Sequence, residues 1–282
     1  MTIEVYALRY ASMRGRRASE IFLRNPSHGV DERLMTMDCY FWLIRGDSHV
    51  VLVDCGWNRD RGLGGGDRFR HVAIEQQGPV DLLTRLGVSP GDVDHVIVSH
   101  MHSDHAGNLD LFPGARVSIA RAEFDCWTGQ YGKRPAIAHA TSPEDIQVIA
   151  DRERAGGVHL VDEAEEIVPG VVVSPVGGHT PGQMIVEVAI PTGTVVLASD
   201  AAHYHEELEH DRPFYIYSDM LAMLGTYDLL RAKAAQPNTW VVTGHDPVEM
   251  DRFERVNVDC VDLSKPIMWP ATRQGSQAQA GA

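Results

Sequence analysis

A chain of 282 residues can bury a sizeable core, and 44% hydrophobic with 23% charged residues is ordinary for a globular protein. With 25 basic against 39 acidic residues the net charge is −14, a field that repels nucleic acid and anionic membrane surfaces and excludes both as partners. No run of about twenty apolar residues occurs, so no membrane span is expected.

The N-terminus, Met1 to Tyr10, alternates like a strand over 3–8 and offers no secretory apolar stretch. Strands are then expected near 38–45, 49–54, 94–99, 116–120, 158–161, 171–176, 184–190, 194–199 and 239–243. Most of these are short apolar, β-branched runs bounded by turn residues. Helices are expected over 78–86, stopped by Gly87, and over 104–111, 121–127 and 143–154. The clearest helix runs from Asp219 to Ala235, where Met220, Met223, Leu224, Tyr227 and Leu230 recur at three- and four-residue spacings, a core-facing stripe. Arg59 to Gly66 reads as a loop, and its Gly-Gly-Gly lacks the Lys-Ser/Thr of a phosphate loop. Nothing divides the chain, which gives one domain over 1–263 and a mobile tail over 264–282. Cys39, Cys55, Cys126 and Cys260 show no paired ligand spacing and read as free thiols of a cytoplasmic protein.

The densest chemistry follows the apolar run Val96-Ile97-Val98. Ser99-His100-Met101-His102-Ser103-Asp104-His105 puts three imidazoles and a carboxylate within six residues. Such donors suit zinc and its neighbours, and so many polar groups cannot all be packed into an apolar element. A single His-x-His signals little. Three further strands, however, also end at strong donors: Val171–Val176 runs into Gly177-Gly178-His179, Thr194–Ser199 into Asp200, and Thr239–Thr243 into Gly244-His245-Asp246. Ligands gather at the carboxyl ends of strands in α/β proteins, so the four segments can converge on one cleft. Seven donors exceed what one tetrahedral zinc uses, and two ions sharing a carboxylate is the economical count.

On these residues, with Val50–Gly56 and the phrase Asp92–Asn108, the chain resembles the metallo-β-lactamase superfamily over roughly 38–250, and within it the N-acyl-homoserine lactonase-like branch. The α/β architecture expected from mixed strands and helices is two β-sheets face to face with outer helices, and the resemblance implies the same αβ/βα sandwich. It further implies that His100, His102 and His179 hold one metal, Asp104, His105 and His245 the other, and that Asp200 bridges them. Two Zn2+ are expected, although imidazole and carboxylate also suit iron, manganese or cobalt. Between such ions a water becomes hydroxide near neutral pH and attacks a polarised carbonyl. Asp104 is expected to take the proton and pass it to the leaving oxygen. The branch commonly carries a Tyr three residues after the bridging Asp. Here that position is His203, followed by Tyr204, and either is a candidate for the oxyanion role. Asp54 is the expected acceptor for the free ring nitrogen of a ligand His, with Thr180 and Asp246 as weaker candidates.

Met35, Phe41, Trp42, Phe124, Trp127, Phe214 and Tyr215 are candidates to line a pocket, Trp42 being the best fit to the core, and Phe124 to Tyr131 suits a mobile pocket wall. The expected activity is hydrolysis of a neutral lactone, such as an N-acyl-homoserine lactone, to a hydroxy acid. The resemblance also allows a homodimer. Alternatives on the same metals are a thioesterase or another cyclic ester or amide hydrolase, a non-haem iron oxygenase or electron-transfer protein, and a non-catalytic scaffold. The glutathione thioesterases need an extra C-terminal domain for which 246–282 is too short, diiron members usually carry Glu where His102 stands, and scaffolds lose ligands that this chain keeps.

Overall fold

Alternation along the strands divides the buried apolar residues into two layers. The computed structural model describes residues 3–24, 29, 31–61 and 73–267. Its strands are β1 (Glu4–Arg17), β2 (Leu34–Arg45), β3 (Val50–Val53), β4 (Ala73–Gln76), β5 (His95–Ile97), β6 (Arg116–Ala120), β7 (Val158–Val161), β8 (Glu165–Val168), β9 (Val171–Pro175), β10 (Met184–Ile190), β11 (Gly193–Ser199), β12 (Thr239–Thr243), β13 (Phe253–Asn257) and β14 (Cys260–Pro266). One sheet has the order β13-β14-β1-β2-β3-β5-β6-β7, with β4 also paired to β1, and the other β12-β11-β10-β9-β8. Both are mixed. β3, β5, β6 and β7 pair in parallel, as do β11 and β12, while their other neighbours are antiparallel.

Every second residue of a strand faces the same way. Val5, Ala7, Tyr40, Trp42, Ile44, Val51 and Val53 of the first sheet accordingly meet Val171, Val173, Val186, Val188, Val195 and Leu197 of the second in one buried layer. The opposite faces carry Leu8, Phe41, Leu43, Leu52 and Val96, or Ile185, Val196 and Ala198, and are covered by helices through Leu82, Leu83, Trp127, Ile149, Met223, Tyr227 and Leu230. This is the expected αβ/βα sandwich.

Several expectations are revised. β1 is 14 residues long rather than six, because it pairs with β2 along its whole length and with β4, absorbing two register shifts near Arg9 and Gly15 (φ 95°). The helix expected over 104–111 is broken into Ser103–Ala106 and a tight turn at Leu109–Leu111, since Asn108 turns back to donate to the carbonyls of Cys55 and Trp57. β4, β8, β13 and β14 were not expected, nor were short helices at Pro135–Ala138 and His205–His210. The helix Met220–Ala234 forms as expected, with Asp219 capping the amides of Leu221 and Ala222. β14 continues to Pro266, past the expected domain boundary at 263, and residues 268–282 of the expected tail lie outside the described residues, as do 62–66 of the glycine-rich loop. Among the described residues no helix is long and apolar enough to cross a membrane.

The fold places the donors by ending strands at one rim. His100 to His105 follow β5, Asp200 follows β11 directly, and His245 lies two residues beyond β12. His179 follows β9 through Gly177 and Gly178, both at positive φ, and a Cβ on Gly178 would lie 2.6 Å from the Met223 Cα, so only glycine lets this loop approach the helix.

Candidate metal centre

The four rim segments bring His100, His102, Asp104, His105, His179, Asp200 and His245 to one place. Asp200 is the hub. Its Oδ2 lies 3.7 Å from His100 Nε2 and 3.4 Å from His179 Nε2, and the latter is 3.0 Å from His102 Nδ1. Its Oδ1 lies 3.2 Å from His105 Nε2 and 3.1 Å from His245 Nε2, which are themselves 3.6 Å and 3.7 Å from Asp104 Oδ2. One carboxylate therefore offers one oxygen to each triad.

These separations have a physical meaning. Two donors about 2.1 Å from a shared tetrahedral ion stand roughly 3.4 Å apart. All seven contacts fall close to that value. The ring nitrogens His100 Nε2, His105 Nε2 and His245 Nε2 and the Asp200 Oδ1 are buried and have no hydrogen-bond partner. Buried polar atoms without partners are rare, and here they point inward at one another. His100, His102, His179 and Asp200 form one group of convergent donors, and His105, Asp200 and His245 another. The donor set fits divalent metal ions.

The electrostatics agree. Burial, reinforced by neighbouring imidazoles, holds His100 and His179 well below the ordinary histidine range, and burial pushes His102 down to about 4. Burial opposes ionisation of Asp200, but His203, His105 and His245 around it hold its carboxyl well below the usual range. His100, His102 and His179 are thus held neutral, as a metal requires, whereas burial opposes protonation of His105 and His245 but Asp200 and Asp104 hold both above the ordinary histidine range, so these two rings must release protons when an ion binds.

The outer nitrogens of four ligand rings are held. His105 Nδ1 is 2.8 Å from Asp54 Oδ2, His179 Nδ1 is 3.0 Å from the Ile216 carbonyl, and His245 Nδ1 is 2.7 Å from the Asp38 carbonyl. His100 Nδ1 meets Ser99 Oγ at 3.0 Å, and Ser99 in turn donates its amide and hydroxyl to Asp54, each at 2.8 Å. Asp54 sits in the left-handed region (φ 62°) at the end of β3, which turns its carboxylate inward. Asp246 instead accepts from the amides of His205 and Val248.

His203 and Tyr204 part company. The His203 ring stacks on Phe214 at 3.6 Å, and its Nε2 lies 3.0 Å from Asp200 Oδ2. Its Nδ1 is 3.3 Å from Glu207, a fully buried carboxylate that also accepts from the amides of His203, Tyr204 and Phe214 and from the Tyr227 hydroxyl. Tyr204 sits on extended backbone before the helix His205–His210 and donates its hydroxyl to the Thr36 carbonyl at 3.2 Å. The two candidates for the oxyanion role thus face different partners, His203 the Asp200 carboxylate and Tyr204 the Thr36 carbonyl. The phenol is engaged at β2, not at the cluster.

A cavity of about 310 Å³ opens beside the centre. Its lining includes His102 and His179 of the centre with Trp127, Ile137, Tyr215 and Ile216, and among the described residues it has no Asp, Glu, Lys or Arg. Of the expected pocket residues, Trp127 and Tyr215 line it. Phe41 and Trp42 are fully buried in the core, Phe214 backs His203, and Met35 and Phe124 pack against the helix-covered layer. The helix expected over 121–127 forms as Arg121–Thr128 and supplies the first part of the wall expected over 124–131, held by Glu123, which accepts from the Trp127 indole at 2.6 Å and from the Met101 and Gly182 amides at 2.9 Å each.

Sequence reasoning missed Ser99, Ser199, Glu207 and Glu123, although Ser99 and Ser199 directly precede ligands and Glu207 follows His203 by one helical turn. It also missed Cys39, whose thiol lies within 4.8 Å of donor atoms of Asp104 and His245. No spacing in the chain signals that contact.

The comparisons agree with this geometry. The family model of the metallo-β-lactamase superfamily matches residues 36–245. An N-acyl homoserine lactonase of Bacillus sp is 26% identical over 228 residues, covering 78% of this chain and 85% of that protein. The N-acyl homoserine lactonase AttM of Azorhizobium caulinodans is 28% identical over 250 residues, covering 82% and 89%. Among solved structures, a B. thuringiensis AiiA mutant with N-decanoyl-L-homoserine at its active site matches with a TM-score of 0.73 at 22% identity, over 91% of this chain and 98% of that one. The quorum-quenching lactonase AidC, a dizinc protein, matches with a TM-score of 0.68 at 17% identity, over 87% and 88%. The chain thus belongs to the metallo-β-lactamase superfamily, in its N-acyl-homoserine lactonase-like branch.

Proposed function

We propose that this chain is a dinuclear zinc hydrolase that opens the ring of a neutral lactone, of the N-acyl-homoserine lactone class, to a hydroxy acid. The observation that carries the reading is Asp200, with one carboxylate oxygen facing each of two triads beside a cavity whose described lining has no Asp, Glu, Lys or Arg. His100, His102 and His179 would hold one ion, Asp104, His105 and His245 the other, with Asp200 shared. When bound, the pair supplies Lewis acidity and a water acidic enough to attack near neutral pH.

The remaining work falls to the chain's own residues. The apolar walls hold the acyl part of the substrate and keep bulk water from the carbonyl, and a described lining without charged side chains suits a neutral amide and ester. Asp104 is the donor with a partly exposed side chain, 21% against 4% or less for Asp200 and the His105 and His245 rings, so it can reach a reacting proton. It accepts the proton released as water adds to the carbonyl carbon and returns it to the ring oxygen as the carbon–oxygen bond breaks. His203 stays on Asp200, where Phe214 and Glu207 hold its ring.

Names of relatives support the lactone, and the described cavity lining supports a neutral substrate. The test is a pH-based hydrolysis panel over lactones, thioesters and phosphodiesters, run with metal analysis of the same preparation. Lactones should be turned over, activity should disappear with chelator, and zinc should restore it. Undiminished turnover after complete metal removal, or thioester turnover without lactone turnover, would refute the reading.

A further inference from the structure

The second triad has a neighbour that neither the motif nor the mechanism uses. Cys39 lies on β2, opposite Ala11, where the register of β1 shifts between Arg9 and Ala11. Its sulfur, a carboxylate oxygen of Asp104 and a ring nitrogen of His245 all lie within 4.8 Å of one another. Cys39 is fully buried, and the His245 Nε2, 3.7 Å from Asp104 Oδ2, is a buried atom without a hydrogen-bond partner.

Backbone contacts on both sides set the placement. The residue before Cys39 is tied to His245 twice: the Asp38 amide donates to the His245 carbonyl at 3.0 Å, and the Asp38 carbonyl meets His245 Nδ1 at 2.7 Å. On the other side the Tyr10 hydroxyl donates to the Asp104 carbonyl at 2.5 Å. Cys39 therefore cannot drift from these two donors without breaking contacts that also orient them. The cavity lining does not contain Cys39, so the thiol approaches the centre from a side that the cavity does not reach.

We infer that Cys39 is an additional ligand of the second metal position, which becomes a site of two imidazoles, two carboxylates and one thiolate. The inference rests on the metal-centre reading and is independent of the lactone. On binding, the thiol gives its proton to solvent and its sulfur lone pair to the ion, with no change of oxidation state. Four donors are usual for zinc and five are the upper end of what it takes. A thiolate among them favours zinc, cobalt or cadmium at this position over manganese or magnesium, which prefer oxygen donors alone.

Cobalt titration of the full chain, stripped of metal and kept reduced, reads the bond directly. Visible ligand-field bands report cobalt in the centre, and a near-ultraviolet thiolate-to-cobalt charge-transfer band reports sulfur coordination. The parent should show both, the charge-transfer band appearing with one of two equivalents. Cys39→Ser should lose that band and keep the visible ones, and Cys126→Ser, which alters the cavity-wall thiol, should keep both. A parent with visible bands but no charge-transfer band overturns the assignment of Cys39 and leaves the metal centre standing, whatever the folding of the variants. Persistence of the band in Cys39→Ser overturns it too. If no visible band appears, the metal-centre reading and this inference fall together.

Discussion

Replacing Asp54 by Asn tests whether the metal centre is held by its surroundings or by its ligands alone. Asp54 is fully buried and accepts from Ser99 N, from Ser99 Oγ and from His105 Nδ1 at 2.8 Å each, and from Ser199 Oγ at 3.2 Å. Asparagine keeps the shape but turns one oxygen into a donor, so two donors end up facing each other on one side of the group. Leaving a buried partner unsatisfied costs about 1–3 kcal/mol of stability. The larger effect is on the metal, because the His105 ring loses the acceptor that fixes its tautomer and raises its basicity. Loss of such an outer partner typically weakens metal binding by about 10–100-fold, or about 1.4–2.7 kcal/mol. The effect should be unequal. His105 contacts Asp54 directly, whereas His100 feels it only through the shared Ser99 hydroxyl. Competitive titration against a chromophoric chelator resolves the two equivalents, and one should weaken by one to two orders of magnitude while the other shifts less. Two equivalents bound as tightly as in the parent would refute the reasoning.

Asp104→Asn should keep the fold but, at full metal loading, lose about two orders of magnitude or more in turnover, as expected for removal of a general acid–base group. Metal analysis with steady-state kinetics checks it, and near-normal turnover at full metal content would remove Asp104 from the proton path. Gly244→Ala places a Cβ 2.7 Å from Asp200 Oδ1 and from the Ser199 carbonyl, so the shared carboxylate must move. Metal content should fall below that of the parent, and an unchanged content would show that the rim can yield. His95, buried with Nε2 on Ser118 Oγ, is pushed down to about 4 by burial and next by Arg116. The unfolded chain then binds the proton more readily, so stability is full above about pH 6.5 and is lost as pH falls from there toward 4. At pH 5 the loss is about 2 kcal/mol. The difference in unfolding free energy between the parent and His95→Gln should change by that amount between pH 7 and pH 5, and a constant difference would contradict the assignment.

The donor string after β5 is legible because its members are contiguous, and a run of imidazoles after an apolar strand has few structural uses. The strands that end at His179, Asp200 and His245 are legible because burial on both faces makes them continuous apolar runs. Elsewhere the pattern fails for identifiable reasons. β13 exposes most of its residues and β8 begins with two glutamates, so neither shows a strand-like alternation. Their pairing with β14 and β9 makes them strands. β1 ends in a basic stretch that reads as solvated, yet Arg16 is only 5% exposed, its guanidinium lying over the Tyr215 ring and donating to the Glu20 carbonyl. Long-range partners of this kind leave no local signal.

The same distinction explains the supporting residues of the site. Asp54 could be suspected because it ends a strand that leads to the same rim, and its left-handed backbone then turns the carboxylate toward His105. Cys39 could not, because only the pairing of β2 with the bulged β1, and the two bonds between Asp38 and His245, bring it there. His203 lies between these cases. Its position three residues after Asp200 draws attention in the chain, but what it does depends on Phe214 and Glu207, which hold the ring so that Nε2 addresses the Asp200 oxygen on the side of His100 and His179. A phenol at that point would offer one hydroxyl to a substrate. Here an imidazole stands in that place, with Nε2 3.0 Å from the shared carboxylate.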